Sequence, residues 1–433
     1  PTRSAILYTG PFALTQSATI RAFAVLDGWI DSPVSSAQFT YSTPSGGGTS
    51  DSSGRSDRDS DWSPYTQAMT TVGNDGVQFK PNVTTQDSVS SVSLSQQAGQ
   101  ELIRQSANRG SRTAILAPAF PEQTERVRMT LHPNTLTGLG NHTEADLMLV
   151  TPLAELTLPN RSLTALGSHK QSLSVEVAKA DHGVSVTLVA GEEPVLVSRG
   201  YTLSIPHDDC TPGTVAILVG EDGTRTVVRK SMVDEAENTV TLTLNSSAQV
   251  DIVNRTPSFS DVSEQSWMYD SVTFPYAHEL FAGTGENQFS PQMPMARGML
   301  AQVLYNLEGN PNPGSISFPD VSDQAWYAPA ARWSAQARIF SGYSNGNFGP
   351  EDPITREQLA VALYRYAGSP QSQETLSAFP DYEEISPYAR SAFAWAVENG
   401  LFQGTGSGTL APQAEATRAQ VAQVLMSFCQ QMP

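Results

Sequence analysis

The sequence is poor in cysteine, in cations and in long apolar runs, and each shortage removes a class of protein. Cys210 and Cys429 are the whole cysteine complement. Two thiols so far apart make no disulfide framework, and no CxxC or Cys/His spacing marks a zinc site. Both are read as idle thiols. Lys and Arg number 25 against 43 acidic residues, a formal net charge of −18. That balance excludes non-specific nucleic-acid binding, which needs clustered cations to neutralise phosphates. It suits an exported protein kept dispersed by self-repulsion. No apolar run approaches the ~20 residues that span a bilayer. No charged-then-apolar leader opens the chain, and no apolar tail with a basic end closes it, so covalent sorting-type anchorage is not expected. The six histidines (132, 142, 169, 182, 207 and 278) are scattered, and no GxSxG, HExxH or P-loop pattern occurs. His207-Asp208-Asp209-Cys210 is the one dense polar cluster, and a surface turn explains it better than a metal site. The expectation is therefore no catalytic residue, no metal and no cofactor.

What is present is a chain of 433 residues, long enough for several domains. Over 1–42, strand-like segments rich in β-branched and aromatic residues (Ala5–Thr9, Ala18–Val25, Ser36–Tyr41) are separated by Thr9-Gly10-Pro11 and Leu26-Asp27-Gly28. The string ILYTGPFALTQSATIRAFAVLDGWIDSPVSSAQFTY resembles the small β module at the C-terminus of chitobiases. That family's opening strand and turn are missing, which implies a truncated β-sandwich fragment and further sequence upstream. Residues 43–61 have almost no apolar side chain and read as a flexible linker.

Residues 62–255 read as a β-rich spacer with short helices. Ala98, Leu102, Ile103 and Ala107 fall at helical spacing. Val127–Leu131, Ser172–Val177, Val184–Leu188, Thr214–Val219 and Val240–Leu244 alternate with period two. Asn134–Leu139 is short enough for a single helical turn. The region resembles spacers that precede S-layer-homology repeats, which implies architecture and no chemistry.

The strongest signal is a triplication over 259–433. Phe259-Ser-Asp261, Phe318-Pro-Asp320 and Phe379-Pro-Asp381 open three units. Aromatic residues follow (Trp267 and Tyr269; Trp326 and Tyr327; Tyr388), then an apolar helix ending at Leu280-Phe281, Ile339-Phe340 or Leu401-Phe402. A glycine loop then runs to proline as GTGENQFSP, GYSNGNFGP or GTGSGTLAP, before Ala296-Arg297, Thr355-Arg356 or Thr417-Arg418 opens a second helix. A fixed period of this length marks a supersecondary unit too small to close a core alone. In the second unit Ala330, Trp333, Ala337 and Phe340 form one expected core stripe, and Leu359, Leu363, Tyr364 and Tyr366 the other.

These landmarks resemble the S-layer-homology family, in units over 256–315, 316–376 and 377–433. The resemblance implies an α-helical pseudo-threefold trimer of repeats with grooves between them, making the whole chain multidomain. It also implies that the partner is a secondary cell-wall polysaccharide, often pyruvylated, and that the chain is extracellular in the cell wall or S-layer.

The arginines carry the expected site. Thr355-Arg-Glu-Gln358 and Thr417-Arg-Ala-Gln420 have capping-box form, which puts Arg356 and Arg418 at the first helical position. A cation there opposes the helix dipole, so its presence in all three copies points to an anion held with the free amides of the helix start. The alternative is that each arginine pairs with an acid such as Asp320 or Asp381 to pin repeats together. The polysaccharide-binding set is Arg297, Arg356, Arg418, Trp267, Trp326, Asp261, Asp320, Asp381, Gly283, Gly342, Gly404 and Tyr343. Trp267 and Trp326 either stack on sugar faces or anchor the core. The glycine loops either admit a ligand closely or simply turn. The first repeat has Ala296 in place of the cap hydroxyl and Gly298 near its helix start, so the groove around Arg356 is expected to be the best formed. The alternative for the whole protein is the C-terminal part of a surface glycoside hydrolase or an adhesin whose active domain lies upstream.

Overall fold

The structure is a computed structural model. It describes residues 18–22, 35–39, 69–73 and 75–431, and it divides into two units, 1–61 and 62–433. In the first unit Ala18–Ala22 pairs antiparallel with Ser35–Phe39, placing Ala18 opposite Phe39 and Ala22 opposite Ser35. The strand expected at Ala5–Thr9, the rest of the β fragment and the linker over 43–61 lie outside the described residues.

The second unit holds two hydrophobic cores, one formed by residues from Met69 to Ile252 and one by residues from Val272 to Cys429. The first belongs to a body of two sheets, of eight and nine strands among the described residues. Three helices join the sheets: α1 (Gln96–Arg109), α2 (Pro133–His142) and α3 (Asn160–Gly167). Each follows a strand closed by a buried leucine: Leu131 and Leu158 end their strands, and Leu94 comes directly after its own. Each then delivers the chain to the opposite sheet. Ser95 caps α1 through the Ala98 amide, and Gly110 closes it in the left-handed conformation at φ 59°.

The three helices approach closely because glycine lies where they meet. A Cβ on Gly99 would fall 2.0 Å from the Thr135 hydroxyl, and one on Gly167 would fall 2.6 Å from the Pro133 carbonyl. The segment expected as a single turn at Asn134–Leu139 is thus a ten-residue helix. His132 caps it by accepting from the Asn134 amide, Pro133 opens it, and the Thr143 amide closes it on the Leu139 carbonyl.

The second core is helical. Each repeat supplies two helices: α4 (Tyr269–Ala277) and α5 (Arg297–Leu307), α6 (Ala328–Gln336) and α7 (Arg356–Tyr366), then α8 (Arg390–Glu398) and α9 (Arg418–Gln431). The second helix of each repeat packs on the first helix of the next, as α5 on α6, α7 on α8 and α9 on α4. At the centre three backbone bonds form a closed ring. Met295 N–H donates to the Ala416 carbonyl, Ala416 to Ile354, and Ile354 back to Met295, at 2.7–2.9 Å. All three residues are buried. Ala330, Trp333, Phe340, Leu359 and Leu363 are buried as the stripes predict, whereas Tyr364 and Tyr366 are half-buried. Ala337 departs from the stripe. It is the C-cap of α6 and exposed, because the helix has ended before its side chain can turn inward.

Polar contacts fasten the two bodies. Arg229 donates to the Asn306 carbonyl at 3.1 Å, and Lys230 pairs with Glu308 at 3.0 Å. The fully buried His278 ring lies between the Phe274 carbonyl at 2.8 Å and the Ser231 carbonyl at 2.9 Å. Burial pushes its imidazole pKa down to about 4, against the two carbonyls, which favour the charged form.

Candidate functional site: the repeat junctions

Each junction is built around one loop residue: Phe289, Phe348 or Leu410, all fully buried. Its amide and the next one donate to an aspartate of the same repeat. Asp261 receives Phe289 and Ser290 at 2.9 and 2.7 Å. Asp320 receives Phe348 and Gly349 at 2.8 and 2.7 Å. Asp381 receives Leu410 and Ala411 at 2.9 and 2.7 Å. Burial works against a charged Asp320, but the two amides prevail and hold its carboxyl below the usual range.

The carbonyl of that same loop residue takes an arginine from the preceding repeat. Arg297 Nε donates to Phe348 at 3.0 Å, Arg356 Nε to Leu410 at 2.8 Å and Arg418 Nε to Phe289 at 2.8 Å. The chain runs from repeat one to two, two to three, and three back to one. Each guanidinium also lies over aromatic rings. Arg297 covers Phe340, Tyr343 and Phe348, Arg356 covers Phe402, and Arg418 covers Phe281 and Phe289, with 4.5–5.4 Å from Cζ to the ring centroids. Arg297 and Arg418 are each 5% exposed, while Arg356 is half-buried. Burial lowers all three pKa values, that of Arg418 to about 10. Arg418 spends a second nitrogen on the Ala282 carbonyl at 2.8 Å. The terminal nitrogens of Arg297 and Arg356 have no hydrogen-bond partner among the described residues.

The helix starts are not free, contrary to the expectation from sequence. The amides of Arg297 and Gly298 donate to Asp352 and Pro350, those of Arg356 and Glu357 to Ala414 and Pro412, and those of Arg418 and Ala419 to Met293 and Pro291. Neighbouring loops satisfy these amides, which local sequence alone leaves orphaned. The expected arginine–aspartate pinning also takes another form: the aspartates hold backbone amides and the arginines hold backbone carbonyls, with the same peptide segment between them.

The cap expectations match the structure. Thr355 accepts from Gln358 N–H and the Gln358 side chain accepts from Thr355 N–H, both at 3.3 Å; Thr417 and Gln420 repeat the box. Ala296 offers no side-chain cap.

Trp267 and Trp326 are not core anchors, being 62% and 61% exposed. Tyr388, at the matching position two residues before its helix, is 57% exposed. The loop glycines have a packing reason. A Cβ on Gly283 would lie 2.8 Å from the Gln288 carbonyl, and one on Gly342, at φ +70°, would lie 2.9 Å from the Phe318 ring. Gly404 would meet the Gly408 backbone at 3.2 Å. Tyr343 extends from its loop beneath Arg297 and stays partly exposed.

Sequence reasoning passed over two groups: Glu357, which is buried in the second junction, and His278. The only trace of either is a difference between copies. Glu357 stands where the other helices have Gly298 and Ala419, and His278 where the other first helices end at Ala337 and Asn399.

Comparison with known families picks out the same three units. Residues 258–298, 317–360 and 378–422 each match the model of the S-layer homology domain. The chain carries three S-layer homology domains. Residues 1–39 match a model described as Fn3 associated, a finding compatible with the small β module expected there. The chain is similar to a surface-layer 125 kDa protein of Lysinibacillus sphaericus, with 29% identity over 41% of this chain and 15% of that protein. It is also similar to a cellulosome-anchoring protein of Acetivibrio thermocellus, with 27% identity over 32% of this chain and 35% of that one. An amylopullulanase of Thermoanaerobacterium thermosulfurigenes is 28% identical over 45% of this chain and 10% of its own length. The chain therefore spans a small part of the curated relatives it matches. Among the described residues no helix is long and apolar enough to cross a membrane, and no group of three or more His, Cys, Asp or Glu is placed to hold a metal ion.

Proposed function

We propose that the three S-layer homology domains, residues 256–433, anchor a surface protein non-covalently to the bacterial cell wall. The anchor takes an acidic, pyruvate-bearing secondary polysaccharide into the junctions of a pseudo-threefold trimer. Residues 62–255 act as a non-catalytic spacer that sets the distance between wall and cargo. The observation that carries this reading is the threefold recurrence, around a closed ring, of one arrangement: a guanidinium, an aspartate-clamped loop and an exposed aromatic at the start of the facing helix. Exposed rings supply apolar faces for sugars, and cations with unspent nitrogens supply charge for a carboxylate. The named relatives support the same reading through their surface-layer and anchoring roles.

The test is a pull-down of the full chain with purified cell walls, before and after chemical removal of the secondary polymer. Binding that disappears with the polymer supports the proposal, and binding that survives overturns it. A second reading follows from the amylopullulanase match: the cargo is a glycoside hydrolase, or an adhesin, and this chain is its wall-facing end. Turnover of chromogenic glycosides by the chain itself would contradict its non-catalytic role.

A further inference from the structure

The junction between the second and third repeats differs from the other two in being filled. Glu357, the second residue of α7, is 4% exposed although it is charged and lies on a helix start. Its Oε1 accepts from Ser386 Oγ at 3.0 Å and from the Tyr388 hydroxyl at 2.7 Å. Its Oε2 accepts from the Ser386 amide at 3.1 Å and from Gln413 Nε2 at 2.9 Å. All four donors belong to the third repeat, and together they satisfy both oxygens of one carboxylate. Desolvation and this contact with Glu357 together raise the Tyr388 phenol pKa.

The matching positions elsewhere lack the carboxylate and both hydroxyl donors, although Gln292 stands where the third repeat has Gln413. Gly298 stands in place of Glu357 at the first junction, where a Cβ would already press on Pro350 and the Tyr327 ring. Ala419 stands there at the third junction. Gln265 and Gln324 replace Ser386, and Trp267 and Trp326 replace Tyr388. The internal carboxylate and the hydroxyl donors that receive it thus occur together, at one junction of three. A carboxylate buried without such donors is strongly disfavoured. Their pairing makes a binding cup with its occupant in place.

We infer that the third repeat holds a carboxylate receptor, formed by Ser386, Tyr388 and Gln413, which the chain fills with its own Glu357 and so keeps closed to an acidic ligand. The inference rests on the anchoring proposal for its biological meaning and on nothing but this geometry for its chemistry. It reverses the order expected from sequence, in which the groove beside Arg356 was the best formed. Acidic glycan then enters at the junctions of Arg297 and Arg418.

Chemical rescue tests it without any cell wall. In the full chain, E357A copies the alanine of the third junction and empties the cup. Its melting temperature falls by about 3 °C or more in sodium chloride. Replacing chloride with sodium acetate at the same ionic strength raises it again in a dose-dependent way, because a ligand that binds the folded form stabilises it by mass action. Acetate shifts the wild type and E357Q, whose cup is full, by less. Adding Y388F to E357A removes the gain. An acetate shift in E357A no larger than in the wild type overturns the receptor. Should E357A fold in neither salt, Y388F and S386A in the native chain carry the test, and an unchanged melting temperature in both overturns it. A null result here leaves wall anchoring standing, and a failed wall pull-down leaves the receptor standing.

Discussion

The third junction, where Arg418 meets the first repeat, and the second, where Arg356 meets the third repeat, share one frame and differ in how it is filled. Both hold a loop peptide between an aspartate of its own repeat and an arginine of the preceding one. At the third junction the arginine is buried and donates to two carbonyls, and the adjacent helix residue is a bare alanine. At the second the arginine is half-buried and donates through one nitrogen, and the adjacent residue is a carboxylate tied to four donors. The two junctions keep the contacts that close the ring and differ at the position next to them. The arginine that pins two repeats together is the fixed part of each junction, and the residue after it is the variable part.

The comparison is broken most directly at the arginines. Arg418→Ala leaves the Phe289 and Ala282 carbonyls without donors and opens space beside two rings, a loss of about 4 kcal/mol. Arg356→Ala orphans the single Leu410 carbonyl and costs about 2 kcal/mol. Urea midpoints at unchanged m-value measure both, and a larger loss for Arg356→Ala would invert the ranking.

His278 sharpens the contrast between first helices. In the unfolded chain its imidazole takes a proton near pH 6.5, and in the folded chain not until about pH 4. Between those values the unfolded form binds more protons, so stability present above pH 6.5 drains away as the solution is acidified. The loss is about 3 kcal/mol by pH 4. The nearby Arg255, which itself pairs with Glu279, pushes in the same direction as burial. Unfolding curves of the wild type should therefore converge on those of His278→Gln between pH 6.5 and 4. Parallel curves would show that this histidine does not titrate there.

Smaller effects are expected at the caps. Thr355→Ala and Thr417→Ala each cost about 1 kcal/mol, whereas Ala296→Thr supplies the missing cap and gains a similar amount or less. Thermal melts of the three variants rank them. The smallest stability change belongs to the exposed indoles. Trp267→Ala and Trp326→Ala stay within about 0.5 kcal/mol of wild type but weaken wall binding in the pull-down. Unaltered wall binding in both would remove the indoles from the site.

The triplication was plain in the sequence because it is written locally: an aspartate after an aromatic, a glycine loop ending in proline, a capped helix. The capping boxes were legible for the same reason, since Thr355 and Gln358 are neighbours on one turn. What local pattern does not contain is the partner on the far side of the ring. The amide of Arg418 finds Met293, and its side chain finds Phe289, so helix starts that look free in sequence are closed in space. Glu357 was hidden differently. An acid in the first turn of a helix is what the dipole favours, and nothing near it announced the donors of Ser386, Tyr388 and Gln413. In the β body, α3 went unread because it is eight residues long and begins after Pro159 without a side-chain cap, whereas α1 has both a serine cap and a clear stripe.

The ring of Met295, Ile354 and Ala416 sets how the helical body fails. A linear array of repeats has ends, and losing one unit shortens it. A circle of three offers no such partial state: withdrawing any repeat strips one core face from each survivor and unmakes two of the three backbone links. Losing one repeat therefore unfolds the helical body as a whole instead of shortening it.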